Sequence, residues 1–153
     1  MRRDPTLHPL SRQHQHGLAL TVVIDRNLRG DPSPELTAGL ARKVADAYEL
    51  ELKNHFDIEE RILFPAIRRE LGPTPLVEEL EADHRRLEGL IARLGQASQT
   101  ERPEALREFA AALSAHIRRE ERELFEDIQK RLPRGTLDQL GRDIDEAVVR
   151  VCL

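Results

Sequence analysis

The chain has 153 residues, of which 34% are charged and 3% aromatic, with no tryptophan and a formal net charge of −4 at pH 7. That length suits one domain with a real core. The acidic balance speaks against nucleic acid or an anionic membrane as partner, since either would want a basic surface.

Leucine, alanine, glutamate and arginine dominate, a mixture for helices rather than sheets. Proline and glycine then divide the chain. A first helix is expected over about 10–28, with Ser11 as an early cap and a break at Arg29-Gly30-Asp31-Pro32-Ser33-Pro34. A long second helix should cover 34–71. Pro65 inside it removes a backbone donor and should kink it near Arg61. Gly72-Pro73-Thr74-Pro75 ends it. The third helix, about 75–97, carries Val77, Leu80, Leu87, Ile91 and Leu94 on a three-four spacing, with His84 in the missing step. The fourth opens near Pro103 and runs to about 132. A shorter fifth, about 136–151, has Leu137, Leu140, Ile144, Val148 and Val151 as its stripe.

Long helices joined by short links predict an all-α fold: an up-down-up-down antiparallel four-helix bundle over about 10–132, with an additional C-terminal helix, in one domain spanning 1–153. The fifth helix packs alongside the bundle or supplies a dimer contact, and the oligomeric state stays open. No apolar run reaches the ~18–20 residues of a membrane span, and no signal-peptide core follows Met1-Arg2-Arg3-Asp4-Pro5. Cys152 is the lone cysteine, so no intrachain disulfide is possible, and a cytoplasmic setting is expected.

The sequence also repeats itself. His55-Phe56-Asp57-Ile58-Glu59-Glu60 with Leu63-Phe64 returns 61 residues later as His116-Ile117-Arg118-Arg119-Glu120-Glu121 with Leu124-Phe125. Residues four apart share one helix face, so each copy aims an imidazole and a carboxylate at one point. Leu10-Ser11-Arg12-Gln13-His14 and Leu80-Glu81-Ala82-Asp83-His84 echo each other more weakly. The chain reads as two helix hairpins.

A bundle would gather His14, His55, Glu59, His84, His116 and Glu120 round one axis. Imidazole with carboxylate suits iron, manganese or zinc, and two carboxylates able to bridge suit two ions better than one. Glu88, four residues after His84, is a further candidate ligand. Glu60 and Glu121 lie one step round from their neighbours and read as solvated or supporting groups, Asp83 as a surface or capping group. His14 and His16 are about 200° apart round a helix, and the echo with His84 selects His14. The plainer reading of a lone histidine is a hydrogen-bonded core residue, and of a lone His-x3-Glu a surface contact; the repetition favours a joint site. The Glu-x-x-His code of ferritin-like bundles fails, because positions 52 and 113 are leucine. Covalent haem attachment would need Cys-x-x-Cys-His.

These residues resemble the hemerythrin-like family, or HHE cation-binding domain, over about 10–132. The strongest segment is His55 to Pro65, similar to the family's His-x3-Glu-Glu followed by Leu-Phe-Pro. Leu10-Ser11-Arg12-Gln13-His14 is similar to the opening of bacterial members, although Gln13 and Gln15 stand where those often have an acidic residue and a second histidine. The resemblance implies a non-haem diiron centre bridged by two glutamates and an oxo or hydroxo group, with ligands at His14, His55, Glu59, His84, His116 and Glu120. Oxygen carriers have a second histidine where this chain has Glu88, which weighs against reversible oxygen carriage. The expected role is to bind or sense oxygen, nitric oxide or iron itself. An enzyme acting on peroxide, oxygen or nitric oxide, and a metal-free helical interaction module, are the alternatives.

Overall fold

The computed structural model describes residues 1–151, and Cys152 lies outside them. Helix formation starts earlier than the sequence suggested. Asp4 accepts the Thr6 amide and caps a short 3-10 turn, Pro5–Leu7, which leads directly into α1, His8–Asn27. Ser11 therefore is not a cap; its hydroxyl donates to Glu121 at 2.6 Å. Ser33 caps α2 by accepting the Leu36 amide, with Pro34 in the first turn. Gly72, at φ +77°, closes α2 in the left-handed region that favours glycine. Helix α3 is Pro75–Gln96, and α4 covers 102–131. Helix α5, Arg134–Ala147, starts and ends earlier than its stripe implied, so Val148 and Val151 lie beyond it.

Two of these helices are not uniform. Over 34–71, α2 widens into π turns at Tyr48–Leu52 and Glu59–Leu63, where the amides of Lys53 and Phe64 reach back five residues to the carbonyls of Tyr48 and Glu59. In α4 the Phe125 amide reaches Glu120 in the same way. The single proline kink near Arg61 is thus replaced by a π turn, with Pro65 in the first turn of the following Phe64–Leu71 segment. Proline is not the cause. The matching position in α4 is Glu126, and the turn forms there too.

Side-chain pairs give the directions of the helices. Gln13 meets Asn54 and His16 meets Glu51, so α1 and α2 run antiparallel. Arg68 with Glu81 and Tyr48 with Glu88 do the same for α2 and α3. Asp83 with His116 and Arg93 with Glu108 set α3 against α4. The all-α bundle holds two apolar cores. One contains Leu10, Phe64, Leu80 and Phe125, and α5 covers it with Leu137, Leu140 and Ile144. The other contains Ile24, Val44, Leu90 and Phe109. Along α1, α3 and α4 the histidines fall between residues of the two cores, so a polar layer separates them.

Helix α5 lies close to the amino-terminal turn. A Cβ on Gly141 would come within 2.8 Å of Thr6 Cγ2 and 3.0 Å of its Cβ, whereas one on exposed Gly89 would meet nothing within 4 Å. Gly89→Ala should therefore stabilise the fold by about 0.5–1 kcal/mol through helix propensity. Gly141→Ala should destabilise it by about 1 kcal/mol, as overpacking outweighs that gain. Denaturant midpoints that moved in the same direction for both variants would contradict this packing.

Candidate metal centre

Six of the sequence-predicted side chains converge on the polar layer. Glu59 and Glu120 are fully buried, and His14, His55, His84 and His116 are nearly so. Among the described residues they form two groups that share both glutamates: His14, His55, Glu59 and Glu120, and Glu59, His84, His116 and Glu120. In each group the donor atoms lie within 4.8 Å of one another. Two donors on one ion at about 2.0–2.2 Å can stand at most about 4.4 Å apart, so each group has nearly the span of a single coordination sphere.

The carboxylates straddle the groups. Glu59 Oε1 lies 3.0 Å from His55 Nε2, and its Oε2 lies 3.0 Å from His84 Nε2. Glu120 Oε2 lies 2.9 Å from His14 Nε2, and its Oε1 lies 3.5 Å from His116 Nε2. Only the His14–Glu120 contact has hydrogen-bond geometry. His55 Nε2, His84 Nε2, His116 Nε2, both oxygens of Glu59 and Glu120 Oε1 are buried with no properly aligned partner. They lie near one another without hydrogen-bond alignment.

The outer nitrogen of every imidazole is held. His14 Nδ1 meets Glu121 at 2.7 Å, His55 Nδ1 meets Gln13 at 2.8 Å, His84 Nδ1 meets Glu60 at 3.0 Å and His116 Nδ1 meets Asp83 at 3.3 Å. Each acceptor favours the tautomer with hydrogen on Nδ1, which leaves Nε2 as the inward donor. Asp83 is therefore not simply a surface or capping group. Its part, and that of Gln13, was visible in one signal: each directly precedes a histidine in the weaker half of the repeat. Glu60 and Glu121 share the offset of the stronger half. The Leu-Phe pairs have a purpose here as well. Phe125 stacks on His14 with ring centroids 5.4 Å apart, and Phe64 on His84 at 5.9 Å.

One predicted ligand, Glu88, and the two other histidines stay outside. Glu88 is not brought into either group; it accepts from the Tyr48 hydroxyl at 2.7 Å and pairs with Arg85 at 2.8 Å. Its place four residues after His84 carries it one turn along α3, to where α2 presents Tyr48. His16 pairs with Glu51 at 2.9 Å between α1 and α2. His8 is exposed, with Nε2 3.1 Å from the Arg3 carbonyl.

Burial opposes charge on these groups, yet their mutual contacts prevail. Burial would push the His14 imidazole down, but hydrogen bonds to Glu120 and Glu121 raise it to about 9. His55 and His84 are raised against the same penalty by Glu59. Glu59 is held well below the usual carboxylate range, against burial, by His55 and His84. Glu120 is lowered against burial and the neighbouring Glu59 by His116, His14 and His55. Glu121 falls to about 2 despite burial, through hydrogen bonds from His14 and Ser11.

A family model for the hemerythrin HHE cation-binding domain matches residues 6–128. The chain belongs to that family. No curated protein and no solved structure gives a match. Among the described residues no helix is long and apolar enough to cross a membrane. In this hemerythrin domain the four inward Nε2 atoms and four carboxylate oxygens are a donor set suited to a metal cation, and borderline ions such as iron, manganese and zinc share it.

The raised imidazoles set a pH signature for the apoprotein. The folded His14 value, about 9, exceeds the unfolded 6.5, so its stabilising contribution is complete below about pH 6.5 and lost as pH rises through 9. The denaturant midpoint of the apoprotein should fall between those values. A divalent cation must also displace the proton, so metal addition at pH 7 in weak buffer should release acid. A flat midpoint from pH 6.5 to 9, with no proton release on metal uptake, would contradict these ionisation states.

Proposed function

We propose that the chain is a single hemerythrin-like domain holding two non-haem iron ions, one at each His–His–Glu–Glu group, and that it binds or senses oxygen, nitric oxide or iron. One observation carries the reading: buried imidazole and carboxylate atoms converge with no aligned partner among themselves. An unsatisfied buried polar group costs about 1–3 kcal/mol, and more when charged. A cation at each group would satisfy those atoms together, whereas a metal-free helical module would leave them unsatisfied.

In this reading His14 and His55 are the terminal ligands of one position, His84 and His116 those of the other. Glu59 and Glu120 would serve both positions. Bound iron supplies one-electron redox change and coordination sites for a small diatomic molecule. The protein's own part is to fix the donors. The outer carboxylates and Gln13 hold the imidazoles in one tautomer, and Phe64 and Phe125 fix ring planes and exclude water.

Elemental analysis with an optical spectrum of freshly purified protein tests the proposal. Two irons per chain and near-ultraviolet charge-transfer absorption are expected, and His55→Ala and His116→Ala should each reduce the iron content to about one or less. Saturating metal at 100 times its Kd should add about 2.7 kcal/mol of stability. Unchanged stoichiometry in both variants, or no effect of metal on the thermal midpoint, would sink the assignment.

A further inference from the structure

The repeat relates the two ligand groups, so departures from the repeat mark differences between them. Most outer partners match. Glu121 holds His14 and pairs with Arg3 at 2.7 Å; Glu60 holds His84 and pairs with Arg85 at 2.6 Å. In each case the arginine offsets the carboxylate charge. The other two do not match. His55 Nδ1 meets the neutral amide oxygen of Gln13, while His116 Nδ1 meets the carboxylate of Asp83. Among the described residues Asp83 pairs with no lysine or arginine.

The amide of Gln13 is fixed in this sense. Its Nε2 donates to Asn54 Oδ1 at 3.2 Å, and the same oxygen accepts the Val149 amide at 3.0 Å. Gln13 therefore presents its oxygen to His55. A second difference falls on the same side as Asp83. Phe56 stacks on His84 with ring centroids 4.1 Å apart, while it meets His116 and His55 alike only edge-on, at 6.1 and 6.2 Å. Its counterpart in the repeat is Ile117, which offers no ring to His14 or His55.

A carboxylate that accepts the Nδ1 proton makes an imidazole a stronger donor through Nε2 than an amide does. Such outer partners alter metal affinity by about 10–100-fold. The extra negative charge adds to the attraction, in part screened by solvent because Asp83 is one-third exposed. We infer that the two metal positions are unequal: the one between His84 and His116 binds its ion more tightly and fills first, with Asp83 as the positioning residue responsible. This rests on the two-ion reading above.

Anaerobic titration of the apoprotein with ferrous ion, repeated with zinc as a redox-silent probe, tests it. Two steps should appear, separated by at least about tenfold in affinity. His116→Ala should remove the tighter step and His55→Ala the weaker. Asp83→Asn and Asp83→Ala should narrow the separation about tenfold, while Asp83→Glu, which keeps the charge, should preserve it. Asp83 is one-third exposed on a helix, so the alanine variant keeps the test available if asparagine perturbs folding; circular dichroism checks both. Two ions bound with indistinguishable affinity, or a separation unchanged in the neutral variants, would overturn the inference and leave the two-ion reading intact. Failure to bind either ion would overturn that reading instead.

Discussion

Glu59 and Glu120 are fully buried near the middle of the bundle. An uncompensated carboxylate at that depth costs several kcal/mol, so positive charge must meet it there, as imidazolium or as a bound cation. The imidazoles come from all four bundle helices. Bringing them to one layer fixes how far each helix slides against its neighbours, because a displaced helix would strand a buried charge. The apolar cores on either side supply the main driving force for packing, but leucine and phenylalanine contacts tolerate sliding better than a charge cluster does.

The same demand gives a reason for the π turns of the repeat. In both copies two consecutive glutamates are engaged. Glu59 reaches His84 at Nε2 while Glu60 reaches the same ring at Nδ1. Glu120 and Glu121 grip His14 in the same way. Consecutive residues on a regular helix diverge by about 100°, which separates such a pair. Widened turns begin at Glu59 and at Glu120, where two adjacent carboxylates must embrace one imidazole, and such turns are common at functional sites. The Phe residues that close these turns stack on the very rings the glutamates hold. The Leu-Phe pair therefore travels with His-x3-Glu-Glu.

Much of this was legible in the sequence. Spacing and repetition singled out the six side chains that converge, and the Pro and Gly clusters marked the long helices to within a few residues. What escaped has physical causes. The two π turns of the repeat go with tertiary contacts of Glu60 and Glu121, so Pro65 drew attention as the only visible irregularity. Glu88 sits on a helix face shared with His84, and periodicity alone cannot tell the cluster from the Tyr48 hydroxyl one turn along. The outer partners are long-range pairs, Glu121 reaching back to His14 and Asp83 forward to His116. The repeat marks their positions, but which histidine each one holds becomes readable only once the helices have been placed against one another.

Gln13 shows how the fold beyond the bundle reaches this layer. In the sequence it looks like the loss of an acidic residue. In the structure it must accept from His55 and donate to Asn54 at once, a pair of tasks open to an amide but not to a carboxylate. Asn54 is itself held by the end of α5, donating to the Ala147 carbonyl and accepting from the Val149 amide. Helix α5 thus does more than cover the apolar core near Leu7 and Phe64. Its carboxyl end fixes the Asn54 amide, which orients Gln13, which sets the tautomer of His55. The neutral residue at position 13 is tied to the docking of α5. Among the described residues the corresponding position on α3, Asp83, meets His116 and no group of α5 or of the segment after it, and there a charge is carried.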